Sequence, residues 1–153
     1  MWRWNPSRSR LGADNAAGLV AGRDLVLDGS DSFDSRLAVN AACVAARVPL
    51  LAGAIGRWEG QLSLYAPHLG APCFACVFPE RPARDLVPAC AEAGVLGALA
   101  GVIGTMMAVE AVKHLAGVGR GLAGRLVLHD ALEGETRSLS VRRRPGCPVC
   151  GGA

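Results

Sequence analysis

The sequence predicts an α/β domain built on a mixed sheet, and three stretches carry that prediction. Residues 24–28, DLVLD, form a short apolar run bounded by turn residues, which suits a buried strand. Residues 35–47 place Leu37, Ala41, Val44 and Ala45 along one face of a helix, and PLLAGAI at 49–55 supplies a second strand. Strand, helix and strand with short links make a βαβ unit, so the two strands pair in parallel through a right-handed crossover. Near the other end, RLVLHDAL and ETRSLSVRR meet around Gly134 as the arms of an antiparallel hairpin, which makes the sheet mixed.

The remaining elements fit between these anchors. GSDSFDSR is rich in turn and capping residues, and Pro49 stops the first helix. QLSLYAP, residues 61–67, alternates like a half-buried strand. Residues 68–92 hold four prolines and read as an irregular excursion. Residues 94–115 are expected to be helical despite their glycines. Gly97, Gly101 and Gly104 with Ala100 and Ala108 make one smooth side. Each helical glycine costs about 1 kcal/mol against alanine. The expected offset is close packing of that side against the sheet or another helix. The apolar run 93–109 counts 17 residues and is bounded by Glu92 and Glu110, so a buried core helix is expected and no membrane span. At 153 residues the chain is read as a single domain over 1–153, long enough to bury one hydrophobic core.

The net charge of +3 is small, and the excess lies in Arg142, Arg143 and Arg144 and in Arg3, Arg8 and Arg10. Aromatics are only 5% and do not interleave with these arginines, which argues against nucleic acid as a partner. The first residues lack the apolar segment of a secretory signal, so the expected compartment is the cytoplasm, where thiols stay reduced.

That compartment shapes the reading of the cysteines. Cys73 and Cys76, and Cys147 and Cys150, form two Cys-x-x-Cys pairs separated by 70 residues, both in proline-marked turns. Zinc takes four thiolates tetrahedrally, and each pair is half a site. The expectation is one structural zinc pinning the tail to the loop at Cys73, with a redox dithiol as the rival. Cys43 falls on the apolar face of the first helix and reads as core. Cys90 precedes the long helix; it is either a loop cysteine or a nucleophile favoured by the helix N-terminus.

Asp28, Asp31 and Asp34 lie beyond the carboxyl end of the first parallel strand, where α/β sheets bind ligands. A carboxylate there can hold the Mg²⁺ of a nucleotide, or it can cap the next helix. Asp34 is expected to be a cap, while Asp31 fits either role. Residues 119–124 match GxGxxG formally but follow a helix and precede a strand, so they read as a turn.

Taken together, these stretches resemble the ThiF/MoeB/HesA family, the ubiquitin-activating-type adenylyltransferases. The matching segments are DLVLDGSDSFDSRLAVNAAC, VPLLAGAIGRWEGQLSLYAP, PCFACVFPE, ACAEAGVLGALAGVIGTMMAVEAVKHLAG and PGCPVCG, in family order from about residue 20 to 151. The resemblance implies a Rossmann-like α/β fold, a homodimer or a complex with a paralogue, and structural zinc on Cys73, Cys76, Cys147 and Cys150. It also implies Mg-ATP at Asp31, where Asp-Ser replaces the family's Asp-Asn. Arg36 and Asn40 match the family's arginine and asparagine on the following helix, and Cys90 its thioester or persulfide cysteine.

Family members begin with a Gly-rich nucleotide loop and basic phosphate contacts, which this chain does not show. It looks like the C-terminal three-fifths of the enzyme, and little or no ATP–pyrophosphate exchange by the isolated chain is expected. The implied function is ATP-dependent adenylation of the C-terminal glycine of a ubiquitin-like sulfur carrier, in thiamine or molybdopterin synthesis. The alternative is a non-catalytic, zinc-stapled remnant that binds a carrier protein or a full-length paralogue. An NAD-dependent oxidoreductase lacks its fingerprint.

Overall fold

The computed structural model describes residues 6–81 and 94–151. Its elements run α1 (Ala16–Val20), β1 (Val26–Asp28), α2 (Phe33–Ala46), β2 (Leu50–Ile55), β3 (Glu59–Tyr65), a 3₁₀ turn (Pro67–Leu69), α3 (Phe74–Val77), α4 (Gly97–Ala116), β4 (Arg125–Asp130) and β5 (Glu135–Ser140). The five strands lie in chain order, with β1 and β2 parallel and every later pair antiparallel. The mixed sheet is therefore a βαβ unit extended by a meander. Its last hairpin pairs Asp130 with Glu135, and Gly134 supplies the left-handed residue of the turn with φ of 70°.

Period-two alternation divides the core in two. Leu50, Ala52 and Tyr65 face α1, α2 and α3, together with Val39 and Cys43 of α2 and Phe74 of α3. Leu51, Leu62, Leu64 and Val127 face α4. A sheet covered on both faces needs strands without polar alternation, which is why LLAGAI is apolar throughout.

Helix α4 departs from expectation. Its buried stripe is Leu99, Ile103, Met107 and Ala111, four residues apart, and not the glycine side. A Cβ added at Gly97, Gly101 or Gly104 would meet nothing within 4 Å. The close approach is provided from the sheet: a Cβ on Gly53 would overlap Met107, and one on Gly60 would overlap Ile103. The helix is thus only partly a core helix, since Val109 is 58%, Val112 65% and Leu115 61% exposed. By length and composition alone α4 is long and apolar enough to cross a membrane; its Leu99–Ala111 stripe is docked on the sheet.

Two boundaries also move. Helix α2 starts at Phe33 because Ser32 is its N-cap. The excursion after β3 is less irregular than expected, containing the 3₁₀ turn and α3. The GxGxxG string lies between α4 and β4 as expected of a turn, with Gly119 at φ 67° and Gly124 at φ 74°.

Candidate functional site

The acidic segment leaves β1 at the sheet end that also carries Ile55 and Glu59. Asp28 closes the strand opposite Ala52 and is 6% exposed. Its Oδ1 accepts the Ser30 N–H at 2.8 Å, which folds the chain over an Asx turn. Asp28 Oδ2 is buried without a hydrogen-bond partner. Two residues on, the Ser32 hydroxyl accepts the Ser35 N–H at 3.4 Å and caps α2.

Asp34 therefore does not cap. It sits in the first helical turn, where its charge favours the helix dipole, and pairs on the surface with Arg81. The Arg81 guanidinium lies 5.7 Å over the Phe33 ring. Asp31 does not cap either. It is exposed between Ser30 and Ser32, and among the described residues nothing pairs with its carboxylate.

Arg36 and Asn40 stand one turn apart on α2 and are both buried. Arg36 Nη2 donates to the Ser30 carbonyl and, at 2.7 Å, to the Gly53 carbonyl of β2. Asn40 Oδ1 accepts the Phe74 N–H at 2.8 Å, which fastens α2 to the start of α3. Cys43 is core, as expected. Burial first, and the Asp28 carboxylate second, push its thiol up to about 12, so it stays a thiol.

Alongside α2 the two cysteine pairs meet. The Cys73 sulfur lies 3.7 Å from those of Cys76 and Cys147, and Cys76 lies 3.5 Å from Cys150. All four sulfurs fall within 4.8 Å of one another. Disulfides would put sulfurs at about 2.05 Å, whereas thiolates about 2.3 Å from one tetrahedral ion sit about 3.8 Å apart. The cluster can therefore hold a metal, and the spacing fits a Cys₄ ion better than a redox bond. Leu37 and Val44 of α2 and Val149 close over it.

The sulfurs are unequal. Burial dominates at Cys73 and Cys76 and raises both thiols. At Cys147 burial also raises the thiol, but the backbone N–H groups of Cys150 and Val149 and the thiols of Cys76 and Cys73 outweigh it. The result is a value of about 6. Arg143 Nη2 donates to the Cys150 carbonyl at 3.0 Å and ties the segment after β5 to the second knuckle. Cys90 lies outside the described residues.

A groove of about 430 Å³ opens at the sheet end that holds the acidic turn, lined by Ala54, Ile55, Gly56, Gln61, Leu128 and Asp130 among others. Sequence reasoning did not find it, since its walls come from β2, β3, β4 and β5 and only their pairing brings them together. The partners of Asp28 and Arg36 were also missed; the Asp-x-Ser spacing was the available signal for the first.

Comparison with known proteins places this arrangement. A sulfur carrier protein adenylyltransferase of Thermus thermophilus is 49% identical over 146 residues, covering 93% of this chain and 54% of that protein. A SAMP-activating enzyme E1 of Haloferax volcanii and a molybdopterin-synthase adenylyltransferase of Escherichia coli are each 42% identical. Both cover 95% of this chain, and 53% and 58% of those proteins. The chain thus spans about half the length of these curated relatives. Among solved structures, the microcin C7 biosynthetic enzyme MccB in complex with N-formylated MccA superposes with a TM-score of 0.74 at 18% identity. It covers 92% of this chain and 45% of that one, a likeness of fold. Residues 3–149 match the ThiF family, and with relatives at this identity the chain belongs to it.

Proposed function

We propose that this chain acts in ATP-dependent adenylation of the C-terminal glycine of a ubiquitin-like sulfur carrier, in thiamine or molybdopterin-type sulfur transfer. The observation that carries the reading is Asp31: an exposed, unpartnered carboxylate at the carboxyl end of the parallel strand pair, between two anchored residues. Support comes from relatives described as sulfur carrier protein and molybdopterin-synthase adenylyltransferases. In this reading a carboxylate oxygen of the carrier attacks the α-phosphorus of ATP, and the bond to the bridging oxygen breaks as pyrophosphate leaves with the electron pair. Asp31 would hold the Mg²⁺, which supplies charge neutralisation on the phosphates. A carrier tail would lie in the groove of about 430 Å³ that opens at the same sheet end.

The cysteine cluster takes a structural zinc in this reading. Four protein ligands leave no open coordination position, so the ion staples and does not catalyse. Cys90 would serve only a later sulfur or acyl transfer. Arg36 and Asn40, matched to family positions, act through the backbone they hold. The exposed apolar side of α4 favours a dimer or a complex with a paralogue, and the site of action is the cytoplasm.

ATP–pyrophosphate exchange in the presence of a sulfur carrier tests the proposal. With the remaining half supplied by a co-expressed full-length paralogue, exchange that needs the carrier and falls on Asp31→Ala is expected. Carrier-dependent exchange indifferent to Asp31→Ala would remove Asp31 from the site.

A further inference from the structure

Resting on that reading, we propose that Asp28 and Arg36 are positioning residues: together they clamp the backbone of Ser30 and so fix the direction in which Asp31 presents its carboxylate. The geometry is a two-sided grip. Asp28 Oδ1 takes the Ser30 N–H at 2.8 Å, and Arg36 Nη2 takes the Ser30 carbonyl. That carbonyl belongs to the peptide joining Ser30 to Asp31. The same nitrogen donates to Gly53 at 2.7 Å, so the grip is referenced to β2 and not only to its own helix. On the other side of Asp31, Ser32 is held as the α2 N-cap. Asp31 is thus the exposed residue in a turn whose flanks are both anchored.

Two further observations separate this from ordinary turn chemistry. Asp28 is 6% exposed and Arg36 9% exposed, yet they do not pair with each other, and among the described residues no carboxylate pairs with Arg36. Asp28 also keeps one buried oxygen without a partner. Burying charged groups with incomplete pairing costs stability. An asparagine could accept the same N–H, and many turns need no arginine. The arrangement spends two buried charges on aiming one exposed carboxylate. Arg36 suits the task because its planar fork reaches two carbonyls from one rigid group; a lysine ammonium is a flexible point donor.

The test measures Mn²⁺ affinity in the presence of ATP by electron paramagnetic resonance, alongside the Mg²⁺ dependence of exchange. Amide exchange of Ser30 and Asp31 is followed by NMR. Wild type, Asp28→Ala, Arg36→Ala, Arg36→Lys and Asp28→Asn are compared, with metal content of the cysteine cluster as the folding check. Loss of residues that orient a ligand typically weakens metal binding about 10–100-fold. That range is expected for both alanine variants, as a raised half-saturating metal concentration, with faster exchange at Ser30 and Asp31. Asp28→Asn, which keeps the acceptor, should recover part of the loss. Arg36→Lys should remain impaired, and it carries the test if the alanine variants fail to fold. Folded variants with wild-type Mn²⁺ affinity would overturn the clamp while leaving the proposed function standing. A wild-type protein that binds no Mn²⁺ with ATP would overturn the proposed function, and the aiming role with it.

Discussion

Helix α2 borders two sites of opposite kinds. At its N-terminal end the turn bearing Asp31 is open: the carboxylate is exposed and pairs with nothing among the described residues. Along the same helix, Leu37 and Val44 help to wall in four cysteines whose sulfurs face one another. One site gathers four donors from the chain itself, while the other presents a single carboxylate to solvent between anchored neighbours. A closed donor set suits structure and an open one suits chemistry. The helix between them is tied to both, through Arg36 to the turn and through Asn40 to the first cysteine knuckle.

Breaking the closed site should have the largest effect. Cys73→Ser or Cys147→Ser removes one of four ligands, and with it a metal contribution expected to exceed about 5 kcal/mol. Elemental analysis should find about one zinc per wild-type chain and little in the variants, with thermal unfolding shifted far down. A wild-type protein purified without chelator that carries no metal would break the comparison at its base. Asp31→Ala should act the other way round: a loss of about a hundredfold in exchange, with the melting temperature unchanged because the side chain is exposed. If stability fell along with activity, the open site would be structural as well.

Smaller effects sharpen the contrast between the two faces of the sheet. Gly60→Ala forces a methyl against Ile103 and should cost about 1–3 kcal/mol in urea unfolding, whereas Gly104→Ala on α4 meets nothing within 4 Å and should be slightly stabilising. Equal destabilisation by both would mean that the helix packs on its glycine side after all. Replacing Val112 and Leu115 with lysine should reduce self-association in sedimentation without weakening the fold, since both are exposed. Ser32→Ala should cost about 1 kcal/mol as a lost cap.

How much of this was legible beforehand depends on the range over which each feature is decided. The βαβ unit, the β4–β5 hairpin and the pairing of two Cys-x-x-Cys motifs are written in local pattern, spacing and chemistry, and all were readable. The side of α4 that packs was not. Its glycines suggested close approach, but the room is made by Gly53 and Gly60, and only strand register places those beneath Met107 and Ile103. Asp34 and Ser32 are both good caps by composition, and which one serves is settled by a two-residue difference in where α2 begins, at 33 and not at 35. The grip on Ser30 was hidden because the Arg36 guanidinium that makes it is anchored on the Gly53 carbonyl, 17 positions away on another element.

The position of the cysteines in the chain has a consequence for the order in which the molecule is made. Cys73 and Cys147 are 74 positions apart, and α4, β4 and β5 all lie between them. Closing a loop of that length in a disordered chain costs roughly 4 kcal/mol in entropy. The first knuckle alone offers an ion only two sulfurs. Capture of a metal by all four sulfurs would therefore be a late event, favoured only once the meander has carried residue 147 back beside residue 73. On a ribosome, an ion would be locked in only after the second knuckle has been synthesised and has emerged, so a loaded cluster would act as a certificate that the sheet between the two knuckles was assembled in register.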